Sequence, residues 1–169
     1  AAAPMLGFAL AHPDDWNARM NQVGILQSGW LDVTRQLTGK RTAHLLADQF
    51  LRAAGAFHVF PDRTDFFGIQ RPLLAVFPAV LAILGMAWAL AHLRERRYFL
   101  VLIWFWAVIL TGGMLTESPP SSQRLLLAVP AVAILVATGL EQSVHLGRRL
   151  LRVRRRNTIG SDFRRGNRR

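Results

Sequence analysis

Arg124 is the residue whose type and setting most plainly ask for a ligand. It heads an apolar run and follows Pro119-Pro120-Ser121-Ser122-Gln123. A guanidinium at the edge of such a run is costly to desolvate unless it reaches water or meets an anion. Its planar fork suits two-point contact with phosphate. Ser121 or Ser122 can cap the helix that follows, and N–H groups at a helix start also favour an anion. A lipid-linked phosphate would fit Arg124, and so would an arginine that snorkels toward the interface and pairs with Glu117.

Other chemistry is thinly represented. Asp14-Asp15 is a carboxylate pair, but adjacent helical residues point about 100° apart, so both are not expected to face one ligand. Pro13 and these acids read instead as the start of a helix, with Asp15 pairing to Arg19 one turn on. The five histidines (His12, His44, His58, His92 and His145) show no metal-ligand spacing, and no metal site is expected. With no cysteine in the chain, a thiolate zinc site, a disulfide framework and a cysteine nucleophile are excluded. Neither a phosphate-binding glycine loop nor a Gly-x-Ser-x-Gly elbow is present.

The elements that must position Arg124 follow from hydropathy. The chain of 169 residues is 51% hydrophobic and only 18% charged, below the roughly 25% charge of soluble domains. Three stretches, 72–93, 98–116 and 124–146, are almost free of charge. About 20 apolar residues cross a bilayer core of ~30 Å, and only helices satisfy their own backbone there. The expected fold is an all-α integral membrane protein with three transmembrane helices. An amphipathic, mostly helical segment over 1–71 precedes them, and a basic tail over 148–169, disordered in this reading, follows. Of the net charge of +11, the tail carries +9. The positive-inside rule then places the 94–97 link and the tail in the cytoplasm, and the segment before Pro72 and the 117–124 link outside. Arg94, Arg96, Arg97, Arg148, Arg149, Arg152, Arg154, Arg155 and Arg156 read as anchors on anionic headgroups, each contributing about 1 kcal/mol. No aromatic platform is interleaved with the tail arginines, so nucleic acid is not an expected partner.

In the first segment, Trp16, Met20, Val23, Leu26 and Trp30 form one helical stripe, and Ala43, Leu46, Phe50, Ala53 and Ala54 form a second that ends at Gly55. Ala1–Ala11 reads as the end of an earlier span, and Phe57–Gly68 as a loop on the membrane surface. Tyr98 reads as an interfacial aromatic, while Trp104 and Trp106 are expected to face neighbouring helices. The start at Ala-Ala-Ala-Pro, without Met, reads as part of a longer protein.

Residues 5–145, and above all GGMLTESPPSSQRLL at 112–126, resemble the C-terminal part of bacterial membrane glycosyltransferases of the C-type fold. That group includes protein O-mannosyltransferases and the aminoarabinose transferase of lipid A. The resemblance implies a multi-span enzyme of the cytoplasmic membrane, acting on its outer side. It would transfer a sugar from a polyprenyl-phosphate donor to an acceptor, with no tightly bound cofactor and its metal dependence open. The catalytic carboxylate of such enzymes lies in a first outer loop, in an N-terminal half outside this chain, so no catalytic residue is transferred to Asp14 or Asp15. Arg124, with Ser121 and Gln123, matches the late outer loop near the donor phosphate. Arg19 matches a position without a specified role. A non-enzymatic three-span scaffold with a lipid-binding tail is the competing reading. A transporter ranks behind both, because the spans lack charged or broken centres.

Overall fold

A computed structural model describes residues 3–64 and 70–166, and within these not the side chains of Ala3, Arg19, Met20, Leu150, Leu151 and 153–166. The described chain is mostly helical. One isolated antiparallel bridge, Gly24 to Thr116, is its sole β pairing. The residues group into two compact units, 1–75 with 104–129, and 76–103 with 130–169.

The first unit begins with α1 (Ala3–Ala11) and α2 (Pro13–Val23). As expected, Pro13 opens α2 and Asp14 and Asp15 lie in its first turn. The stripe from Trp16 to Trp30 is not one helix. Val23 ends α2, and α3 (Trp30–Thr38) starts afresh. The reason is tertiary. The Ile25 N–H donates to the Leu115 carbonyl at 3.1 Å, and the Glu117 N–H donates to the Val23 carbonyl at 2.9 Å. Those groups are thereby lost to a continuous helix, and Gly29 turns the chain with a φ of 76° that glycine adopts without penalty.

The second stripe does lie on one helix, α4 (Thr42–Ala54), which stops at Gly55, but its buried face is shifted: Leu45, Gln49 and Ala53 are buried, Leu46, Phe50 and Ala54 are half-buried, and Ala43 is exposed. Gly55 is not left-handed there (φ −83°). It leads into a 3₁₀ turn, Gly55–Phe57, and a Cβ on it would sit 2.6 Å from the Phe60 ring. The inner face of α4 packs on the 104–114 segment. Phe50 stacks on Trp106 with centroids 5.7 Å apart, and Phe57 meets Phe105 at 6.0 Å. Trp106 thus does face a neighbouring helix, whereas Trp104 is 43% exposed.

The second unit contains α5 (Val76–Ala91), the start of α6 (Arg96–Val108) and most of α8 (Val129–Gly166). At 16 residues, α5 is about 24 Å long, short of a bilayer core. The expected 22-residue run from Pro72 is not helical at its start. The Leu73 N–H is drawn instead to the Ala56 carbonyl at 3.0 Å, and Pro78 then falls in the first helical turn, where its missing N–H removes no bond. Among the described residues two helices are long and apolar enough to cross a membrane: Arg96–Met114, 19 residues, and Ser122–Arg149, 28 residues. The latter comprises α7 (Ser122–Leu125), a 3₁₀ turn and the first part of α8.

In this unit Gly85 of α5 and Gly139 of α8 touch backbone to backbone. A Cβ on either would overlap the carbonyl of Leu135 or Leu81. Ala82, Ala89 and Ala131 are buried on the same faces. Tyr98, expected at an interface, is 7% exposed and accepts a hydrogen bond from Trp88 Nε1 at 3.3 Å. The helix of α8 continues through the arginine cluster to Gly166, where the sequence reading expects disorder. Arginine and leucine are strong helix formers, and no proline follows Pro130 to stop them. Arg94, Arg96, Arg97, Arg148, Arg149 and Arg152 are exposed, while the side chains of Arg154, Arg155 and Arg156 lie outside the described residues.

Candidate functional site

Arg124 lies in the first turn of α7, inside the first unit. Its place is set from two sides. After Val108 the chain widens into a π-helical segment, Ile109–Met114. There Gly112 presents a bare Cα to the Arg124 carbonyl, where a Cβ would stand 2.7 Å away. Thr116 ends the segment by donating its hydroxyl to the Gly113 carbonyl at 2.9 Å. The chain then passes Ser118, with a left-handed φ of 54°, and the cis Pro119–Pro120 bond before entering α7. Arg124 Nη1 donates to the Glu117 carbonyl at 2.6 Å. The arginine therefore does meet Glu117, through its backbone.

The helix start is capped, but not by its serines. Ser121 occupies the N-cap without a side-chain cap bond. Asp62 reaches across instead. Its Oδ1 accepts the Ser122 N–H at 3.1 Å, the Thr64 N–H at 3.1 Å and the Thr64 hydroxyl at 2.7 Å. The Thr64 hydroxyl also lies 3.3 Å from both Ser121 Oγ and Ser122 Oγ. The Arg63 N–H donates to the Pro120 carbonyl at 3.0 Å, which ties the two strands of chain together. Asp62 is 3% exposed. Burial alone would raise its pKa, but the hydrogen bonds from Ser122 and Thr64 outweigh that and hold the carboxyl below its usual 3.8. It is ionised at neutral pH. Its Oδ2 is buried with no hydrogen-bond partner among the described residues.

These elements frame a cleft of about 820 Å³. Arg124, Ser121 and Gln123, the three residues expected at a phosphate, all line it, together with Arg63, Thr64 and Glu117. Trp16 and Asn17 of α2 form another wall, with Asn17 Nδ2 donating to the Pro13 carbonyl at 2.8 Å. Arg124 is half-buried, whereas Gln123 and Arg63 are exposed. Among the described residues the lining carries two guanidinium groups, Arg63 and Arg124, and one carboxylate, Glu117, with the Asp62 carboxylate buried just behind it. The first helical N–H, that of Ser122, is taken by Asp62. The backbone of Arg19 lies in α2, but its side chain is outside the described residues, so no pairing with Asp15 is assigned. Asp15 instead lies 3.9 Å from His12 Nδ1.

Sequence reasoning missed Asp62, Arg63, Thr64 and Trp16 as parts of the site. An Asx turn was legible in Asp62-Arg63-Thr64, where the side chain bonds the N–H two residues on, but its second partner is 60 positions away. In the sequence Trp16 reads only as a member of the apolar stripe. Among the described residues no cluster of three potential metal ligands exists. The chain matches no protein-family model, no curated protein and no solved structure.

Proposed function

We propose that this chain spans the cytoplasmic membrane three times, the short α5 crossing where the bilayer thins to meet it, and forms the C-terminal part of a lipid-linked-sugar glycosyltransferase. Its 62–64 and 117–124 segments face the outer side, and its arginine-rich end lies in the cytoplasm. The cleft holds the phosphate of a polyprenyl-phosphate sugar, with Arg124 and Arg63 as its cationic arms and Ser121, Gln123 and Thr64 as hydrogen-bonding groups. As the sugar leaves the donor, negative charge grows on the phosphate, and fixed guanidinium donors stabilise it. The single observation that carries this reading is the convergence of Arg124, Ser121 and Gln123 with Arg63 on one cleft.

Membrane embedding is supported by exposure. The apolar windows of Arg96–Met114 and Ser122–Arg149 are only 33% and 39% buried, whereas the core helix of a soluble domain hides most of its apolar surface. Phe77, Val80, Ile83, Leu100, Ile103 and Leu127 stand at half exposure or more. Close approach through Gly85, Gly139 and alanines is the packing expected where lipid removes any hydrophobic drive between helices.

The test is sugar transfer by the full-length protein in isolated membranes. Arg124→Ala should lower transfer by about 10²-fold or more, while Arg152→Ala at equal protein level should change it little. Equal activities in the two variants would leave Arg124 a surface anchor and remove the donor reading.

A further inference from the structure

The geometry points to a second binding site, for one anionic phospholipid of the surrounding membrane, in a groove between α5 and α8. The groove encloses about 630 Å³ within the unit of residues 76–103 and 130–169, a size typical of sites that take small amphiphiles. Along one stretch it is apolar, walled by Leu84, Trp88 and Leu146. Along α8 the polar Gln142, Ser143 and His145 interleave with this wall, and Arg149 stands at its far end, three residues beyond Leu146. From Gly139, at the helix contact, to Arg149 the groove climbs α8 by roughly 15 Å. No acidic residue lines it among the described residues, and neighbouring Glu141 is engaged by His145 Nε2 at 3.7 Å.

The wall is held in place. The Trp88 ring stacks on His92 at 4.2 Å, and its Nε1 donates to Tyr98 Oη at 3.3 Å. Both helices run toward arginines, α5 into Arg94, Arg96 and Arg97, and α8 into Arg148 and Arg149. An apolar strip that ends in a guanidinium, with no carboxylate among the described lining residues, is complementary to an acyl chain that ends in a phosphate. A zwitterionic lipid offers the same chain, but its ammonium offsets its phosphate, so selection falls on the anionic headgroup. The assignment rests on the membrane-spanning reading and not on sugar transfer.

The chain reconstituted in phosphatidylcholine vesicles provides the test. A minor fraction of the lipid carries brominated acyl chains, attached either to phosphatidylglycerol or to phosphatidylcholine. Trp88 quenching is the difference between the unsubstituted chain and Trp88→Phe. We expect several-fold more of it from brominated phosphatidylglycerol, and loss of that excess in Arg149→Gln but not in Arg152→Gln, whose side chain does not line the groove. Equal quenching by the two lipids would overturn the site while leaving membrane insertion intact. Equal loss in the two arginine variants would also overturn it, in favour of diffuse attraction to the tail. Quenching by neither lipid would remove the membrane reading as well.

Discussion

Removing the Asp62 carboxylate tests how the cleft is built. Oδ1 accepts three hydrogen bonds, one of them the cap on Ser122. Bonds to a charged acceptor contribute roughly 1.5 kcal/mol each at the low end, so the three amount to about 4.5 kcal/mol. Part of this is offset, because Asp62 is 3% exposed and its Oδ2 is buried without a partner among the described residues. Relief of that desolvation returns about 2 kcal/mol when the carboxylate is deleted. Asp62→Ala should therefore destabilise the first unit by about 2–3 kcal/mol. Asp62→Asn retains an acceptor at Oδ1 but brings N–H groups to the Oδ2 position, where none of the described residues accepts them, and should cost about 1–2 kcal/mol. Denaturant unfolding of the detergent-solubilised chain gives the magnitude, and amide hydrogen exchange gives the place. Exchange should accelerate at Thr64 and at Ser122–Leu125 and stay unchanged in α5. An Asp62→Ala chain within about 0.5 kcal/mol of the parent, with unchanged exchange at Ser122, would refute the capping argument.

Three further outcomes follow from the same geometry. Because hydrogen bonding lowers the Asp62 pKa below 3.8, its contribution is complete above that value and is lost as pH falls through the lowered one. The parent and Asp62→Asn should therefore differ in unfolding free energy at neutral pH and converge in acid, and a constant gap would contradict the assignment. Gly139→Val drives a Cβ into the Leu81 carbonyl and should cost about 3 kcal/mol or more in thermal unfolding, whereas Gly147→Val meets nothing within 4 Å; equal effects would deny the close helix contact. In intact cells, a maleimide should label Ser121→Cys from outside and Arg148→Cys only after permeabilisation, and the reverse pattern would invert the proposed topology.

What was legible in the sequence is what depends on short spacing. The start of α2 at Pro13, the stripe of α4 with its end at Gly55, and the apolar character of the helices after residue 75 all come from patterns within one or two turns. Boundaries set from afar were not legible. The α2–α3 break depends on Leu115 and Glu117, and the late start of α5 depends on the Ala56 carbonyl taking the Leu73 N–H. The site divides in the same way. Arg124, Ser121 and Gln123 are neighbours in sequence and could be read together. The Asp62 cap and the Arg63 arm arrive from 60 positions away, and no periodicity links a loop aspartate to a distant helix start.

The two readings of this chain ask different things of the 117–124 link. A scaffold needs apolar helices and a basic end, and a link between helices can then follow ordinary turn chemistry. Here several local departures gather around one side chain. Ser118 is held at a positive φ, the helix before the link opens to π geometry, and Gly112 lies against the Arg124 carbonyl. Asp62 is buried beside them with one oxygen unpartnered among the described residues. The positive φ at Ser118 and the π segment cost stability, and such costs concentrate where a fixed arrangement is needed for function, while the Asp62 cap holds that arrangement in place. Their common product is an arginine fixed at the wall of an open cleft with hydroxyls beside it. A lipid-anchoring arginine requires none of that preparation, whereas an anion that must be met in one orientation does, and this favours the donor-phosphate reading over the scaffold.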